Sequence, residues 1–282
     1  MIAVDSAVTS LISNSLALER SGDLLSALRC ARRALEMARA EGEPEQVATA
    51  LLAVARIRFR LGQYQPAREL ATEALSLAPA DSPARTEALL RLGAYAAVTY
   101  SLDEAETLLL QAANLSRELD SLLTRFHALH NLVAGIYLLR GQFDLALAAE
   151  EEALRIAREE GLNPWAYFPL IVIAWVFIVT GQPHRAQGAL KELEQMVLQG
   201  FIGQGYQLYL EADLARSIGD TETARVLYAR VRSIAEAIGD PWRNIALRLG
   251  MSHCARSAGN APAARAWADG ALNLAIRSEH RH

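Results

Sequence analysis

Apolar residues recur along the chain at i, i+3, i+4 and i+7 in blocks of about fifteen residues, the period of helices that bury one face. The blocks come in pairs. Within a pair they are joined by a short polar turn with the spacing Gly, four residues, Ala: GDLLSA from Gly22, GQYQPA from Gly62, GQFDLA from Gly141, GQPHRA from Gly181, GDTETA from Gly219 and GNAPAA from Gly259. One turn reads YSLDEA, with Tyr100 in the Gly place and Ala105 in register. The anchor alanines follow one another at 40, 38, 41, 40, 38 and 40 residues, which predicts seven helix-turn-helix units over 2–40, 44–79, 83–119, 121–160, 164–200, 203–238 and 241–278.

Positions not used to find the repeat obey it. Seven residues before each turn position stand Ser15, Ala55, Gly93, Ala134, Ala174, Ala212 and Ser252, all small. Seven after each anchor stand Ala34, Ala74, Ala112, Ala153, Leu193, Val231 and Ala271. Small residues at a crossing let two helix backbones approach closely. The turn Gly supplies a left-handed residue at the end of the first helix, and a following Asp or Asn caps the second. Units are joined by GEPEQ (Gly42 to Gln46), APADSP (Ala78 to Pro83), GLNPW (Gly161 to Trp165) and GDPW (Gly239 to Trp242), where one helix stops and Pro opens the next.

This pattern, over the whole chain, resembles the tetratricopeptide repeat (TPR). The resemblance implies an all-α fold, a right-handed α-solenoid of about seven TPR-like repeats forming one domain, 1–282. A period near 40 implies longer helices than that family's usual ones, and the family's bulky aromatic near the start of the first helix is mostly Leu here. The long period, the richness in Ala and Leu and the Gly-x-Pro joints also resemble the superhelical sensor region of the maltose-regulon activator and of LuxR-type regulators among the STAND signalling ATPases. The third unit lacks its turn Gly, so a kink or local irregularity is expected there.

Composition adds exclusions. The chain is 52% apolar but only 6% aromatic, with net charge −4 and pI near 5.9, so no basic field draws it to nucleic acid or an acidic membrane. Cys30 and Cys254 share no motif; free thiols fit a reducing cytoplasm, where the chain is expected, and MIAVDSAVTS has no signal-peptide character. No phosphate-binding loop, dinucleotide fingerprint, nucleophile elbow, His-Glu-x-x-His or Cys-x-x-Cys occurs, and no helix is set apart as a basic recognition helix. The expectation is a non-catalytic protein with no cofactor and no metal. The last unit ends in SEHRH without a polar capping helix, which suggests either a segment of a longer protein, an end covered by a partner, or simple fraying.

First helices of solenoid pairs line the concave surface, where extended binding faces lie. Projection from the small-residue position places Thr49, Leu52, Arg56, Phe59 and Arg60 inward in the second unit, and Asn131, Leu138 and Leu139 in the fourth. It places Phe168, Ile171, Trp175, Ile178 and Val179 inward in the fifth, and Tyr206, Tyr209, Asp213 and Arg216 in the sixth. The fifth first helix, WAYFPLIVIAWVFIVTG, is apolar all round yet short of the ~20 residues of a membrane span. It either lines an aromatic groove with Tyr206 and Tyr209 or is buried against its neighbours. Arg56 and Arg60, spaced i, i+4, form an anion site or a solvated surface. His127 and His130 share the i, i+3 spacing of a metal pair but have no further ligand nearby. EEEALRIAREE (Glu150 to Glu160) reads as solvent surface. The expected partner is a protein or peptide, or a small apolar inducer, with self-association a further option and no direct contact with nucleic acid or membrane. The chain is thus expected to be the sensing region of a larger bacterial regulator, or a free-standing scaffold.

Overall fold

The computed structural model describes residues 7–161, 163–197, 204–238 and 241–279. The proposed repeat limits at 2, 200 and 203, the Gly239–Asp240 part of the GDPW joint and the last residues of SEHRH lie outside them. The described residues form fourteen α-helices and one π-helical turn, with no strand among them. They fall into two compact units, Met1–Ile156 and Ala157–His282, each taken by itself below.

In the first unit the pairs are α1 (Ala7–Arg20) with α2 (Leu24–Glu41), α3 (Pro44–Arg60) with α4 (Tyr64–Leu77), and α5 (Pro83–Val98) with α6 (Leu102–Glu118). α7 (Leu122–Leu132) continues as a π-helical turn, Val133–Tyr137, before α8 (Phe143–Glu159), whose last residues belong to the second unit. The second unit pairs α9 (Asn163–Val179) with α10 (Pro183–Val197), α11 (Gln204–Ser217) with α12 (Thr221–Ile238), and α13 (Pro241–Ser257) with α14 (Ala261–Glu279).

Local chemistry accounts for each break. Every turn Gly has positive φ, and at Gly62 the paired bonds Gly62 N–H to Phe59 O and Gln63 N–H to Arg58 O, both 2.9 Å, satisfy the last carbonyls of α3. Asp23, Asp220 and Asn260 accept from Ser26, Thr223 and Ala263 N–H, capping α2, α12 and α14. The anchor alanines Ala27, Ala67, Ala105, Ala146, Ala186 and Ala224 are fully buried, because a larger side chain would hold the paired helices apart. Ala264, in the last pair, is half-buried. Where the small position is Ser, its hydroxyl donates to the anchor carbonyl: Ser15 to Ala27 at 3.0 Å and Ser252 to Ala264 at 2.8 Å.

The irregularity falls one unit later than expected. Tyr100 takes φ +59 and makes the same paired bonds as the glycines, Tyr100 N–H to Ala97 O and Ser101 N–H to Ala96 O, so the third unit keeps its turn. The distortion is the π turn of the fourth unit, whose anchor follows its predecessor by 41 residues, the longest spacing of the six. A π turn absorbs one extra residue. Its register shift leaves the predicted small contact, Ala134, exposed and buries Val133 instead; Gly135 comes so close to α5 that an added Cβ would lie 2.9 Å from the Ala97 Cβ.

Candidate functional site

Within each unit the first helices also touch one another, α1 to α3 to α5 to α7 in one and α9 to α11 to α13 in the other, and form the row on which inward side chains meet.

The row of the first unit carries charge. Glu19 of α1, 6% exposed, accepts from Arg56 Nε at 2.6 Å and from Arg60 Nη1 at 3.4 Å. The i, i+4 arginine pair therefore does bind an anion, and the anion is the protein's own carboxylate. Phe59 stacks on the buried Tyr95 ring at 5.0 Å and leans on Tyr64 at 5.2 Å, so it supports α5 as well as facing inward. Next along the row, Glu87 holds Arg91 at 2.5–2.7 Å. Burial works to raise the Glu87 carboxyl, but Arg91, Arg56 and His127 outweigh it and hold it below its ordinary value. Burial pushes the Tyr95 phenol up to about 12. Burial, with Arg91 adding to it, drives the His127 imidazole down to about 4, so this ring is neutral at neutral pH.

His130 does not pair with His127 around a shared ligand position. Its Nδ1 lies 2.8 Å from Glu150 Oε1. Glu150 is fully buried, which corrects the expectation that the whole Glu150–Glu160 segment is solvent surface: its first turn faces α7, where Arg125 also pairs with Glu152. Asn131 is half-buried on α7 and Leu139 is 59% exposed. The inward position that projection from Ala134 assigned to Asn131 belongs to a helix rotated by the π turn, and His127 and His130 are the residues that join the network. Projection missed Glu19, Glu87, Arg91 and His127. The visible signals were acids and bases on successive first helices and the 41-residue spacing.

The row of the second unit opens with an apolar helix. On α9, Phe168 and Val179 are 49% and 43% exposed, and Ile171, Val172 and Trp175 are half-buried on the same stripe. Ile178 is 4% exposed and packs beneath the stripe rather than on it. Tyr206, 40% exposed, occupies on α11 the repeat position of Phe168 on α9, and these helices pack together. Tyr209 turns away from the apolar stripe. Its ring lies 6.1 Å from that of Tyr228, beside the buried Asp213 carboxylate, which takes the Tyr228 hydroxyl at 2.6 Å and Arg216 Nη2 at 3.0 Å. Burial and that carboxylate push both phenols upward. Asp213 and Arg216, placed inward by projection, are thus bonded to each other. No described helix is long and apolar enough to cross a membrane.

Comparison with known proteins agrees with this architecture. Residues 7–80 match the tetratricopeptide repeat family model. No curated protein matches the chain in sequence. Among solved structures the chain is similar to the apo form of RapI, at 12% identity and TM-score 0.73 over 97% of this chain and 99% of that one. It is similar to the Rap conjugation gene regulator of plasmid pLS20 in complex with the Phr* peptide, at 14% identity and TM-score 0.67 over 97% and 74%. It is also similar to PilF of Pseudomonas aeruginosa, at 20% identity and TM-score 0.61 over 82% and 92%. At these identities the likeness is one of fold: an all-α array of tetratricopeptide-type helix pairs.

Proposed function

We propose that the chain is a non-catalytic binding module that holds an apolar peptide segment of a partner on the first-helix row of its second unit. Phe168, Ile171 and Trp175 of α9 supply the contact, with Tyr206 beside them. The observation that carries this reading is the unbroken apolar stripe of α9, left part-exposed on the row where the first unit places charge. Apolar anchors at i, i+3 and i+7 suit an amphipathic segment. The structural likeness to a Rap protein in complex with a peptide lends support. In the first unit Arg56, Arg60 and Asn131 offer polar contacts and Phe59 an apolar one, with Arg56 and Arg60 already sharing the Glu19 carboxylate.

The wider role, in which occupancy biases neighbouring domains of a signalling ATPase, draws its support from the repeat period and the Gly-x-Pro joints. The coding sequence on either side of these residues tests it.

The binding reading is tested with peptides selected from a displayed random library on the parent chain. They should be rich in Leu, Phe and Trp and bind Trp175→Glu about tenfold or more weakly, with the helical circular dichroism of the variant unchanged. Selected peptides that bind a folded Trp175→Glu equally well would refute it. If that variant does not fold, Phe168→Ser, at the most exposed position of the stripe, replaces it.

A further inference from the structure

The second unit carries another concave feature, away from the apolar stripe: an open groove of about 390 Å3 where α10, α11 and α12 meet. Two helices line it with matching stripes. α10 contributes Gln187, Leu190, Lys191 and Glu194, and α11 contributes Glu211, Leu214 and Ala215 with Ile218 just past its end, each set at i, i+3, i+4 and i+7. Leu190 and Ala215 form a buried floor and Leu214 is half-buried, whereas Ile218 stands 61% exposed at one end. The rim carries the carboxylates of Glu194, Glu211 and Asp220 against the single ammonium of Lys191. Glu211 receives Gln207 Nε2 at 2.9 Å and Asp220 caps α12 through Thr223 N–H at 3.1 Å. Both bonds come from neutral donors and leave the negative charge uncompensated.

At three equivalent places elsewhere an ion pair ties successive second helices together. Arg39 of α2 reaches Glu73 of α4 at 2.8 Å, Arg68 of α4 reaches Glu104 of α6 at 2.7 Å, and Arg158 of α8 pairs with Glu192 of α10. Counted from their anchor alanines, the places of Arg68 and Glu104 are taken in α10 and α12 by Gln187 and Thr223, both of which line the groove. The places of Arg39 and Glu73 fall on Leu198 and Arg230 in the sequence. Neither kind of bridge can form with these residues.

From this geometry we infer that the α10–α11–α12 groove is a second docking surface, and that its occupant is a basic amphipathic helix of a partner protein. Its apolar residues lie on Leu190, Leu214 and Ile218, and its Lys or Arg residues meet Glu194, Glu211 and Asp220. Parallel i, i+3, i+4, i+7 stripes present the grooves that a third helix fills, and the acidic rim selects the sign of its charge.

The probe is a fluorescein-labelled amphipathic helix of about eighteen residues built from Leu and Lys, with its Leu/Glu counterpart, read by anisotropy at physiological salt. The Leu/Lys helix should bind the parent about tenfold or more tightly than the Leu/Glu helix, and that binding should fall about tenfold in Glu194→Lys/Ile218→Lys, whose sites are both exposed. Glu36→Lys/Glu118→Lys, which shifts net charge further at exposed sites outside the groove, should bind like the parent. Equal loss in that control would show general attraction to an acidic protein and overturn the inference. So would loss in Trp175→Glu with retention in the groove variant, which would place the helix on the apolar stripe. If light scattering finds the parent dimeric and the groove variant monomeric, the occupant is a second copy and the inference also fails.

Discussion

Two glycines inside helices of the second unit should respond to the same substitution with opposite signs. Gly250, in α13, packs against the ring of Tyr228: a Cβ there would lie 2.3 Å from Cζ and 2.6 Å from the hydroxyl oxygen. Tyr228 cannot step aside cheaply, being fully buried and tied by its hydroxyl to Asp213 at 2.6 Å. Overpacking costs about 1–3 kcal/mol, and if the ring yields, losing a hydrogen bond to a charged group adds about 1.5–3 kcal/mol. Better helix propensity returns about 1 kcal/mol. Gly250→Ala should therefore destabilise by about 2–4 kcal/mol. Gly188, in α10, has nothing within 4 Å of the added methyl, so Gly188→Ala should stabilise by about 0.5–1 kcal/mol through propensity alone. Urea unfolding followed by far-ultraviolet circular dichroism gives both values, and hydrogen exchange in α12 and α13 localises the Gly250 effect. In a Tyr228→Leu background the Gly250→Ala cost should shrink by about 1 kcal/mol or more. A Gly250→Ala protein within about 0.5 kcal/mol of the parent would refute the ring-clamp reasoning.

Other outcomes follow from the first unit. Tyr100 holds φ +59 with its side chain 79% exposed, so Tyr100→Gly should raise stability by about 0.5–1 kcal/mol in the same urea assay, by relieving the left-handed strain without losing packing. Because the folded pKa of His127 lies at about 4 against an ordinary 6.5, its contribution is complete above pH 6.5, is lost as pH falls toward 4 and is constant below that. The loss is at most about 3 kcal/mol, and His127→Asn should flatten that window while leaving the carboxylate-driven loss at lower pH. Glu19→Gln leaves Arg56 and Arg60 facing a neutral amide and should cost about 2 kcal/mol, less than a fully buried pair because Arg60 is half-exposed. A shift of urea midpoint with unchanged slope checks it.

What could be foreseen from the residues and what could not divide along a physical line. Helix pairing, the turns at Gly22 or Gly62 and the buried anchors Ala27 or Ala67 are legible because each answers a local demand: positive φ at a helix end, or a small side chain at a crossing. The part-exposed stripe of α9 was legible as an apolar run, but burial of Ile178 and exposure of Phe168 depend on how α9 sits on its neighbours. The charge network was not legible, since Glu19 and Arg56 are partners 37 residues apart on different helices. Nor was the fate of Glu150, whose apparently solvated segment turns its first carboxylate into His130. One inserted residue turns the rest of a helix by about 100°, enough to move a side chain from one face to another. In the fourth unit a spacing of 41 residues was the only trace of that insertion in the chain. The sequence by itself determined the repeat and its turns, because those are satisfied within one unit. The tertiary structure alone decided which charges meet, where the π turn forms and which grooves stay open, because those depend on side chains one repeat away.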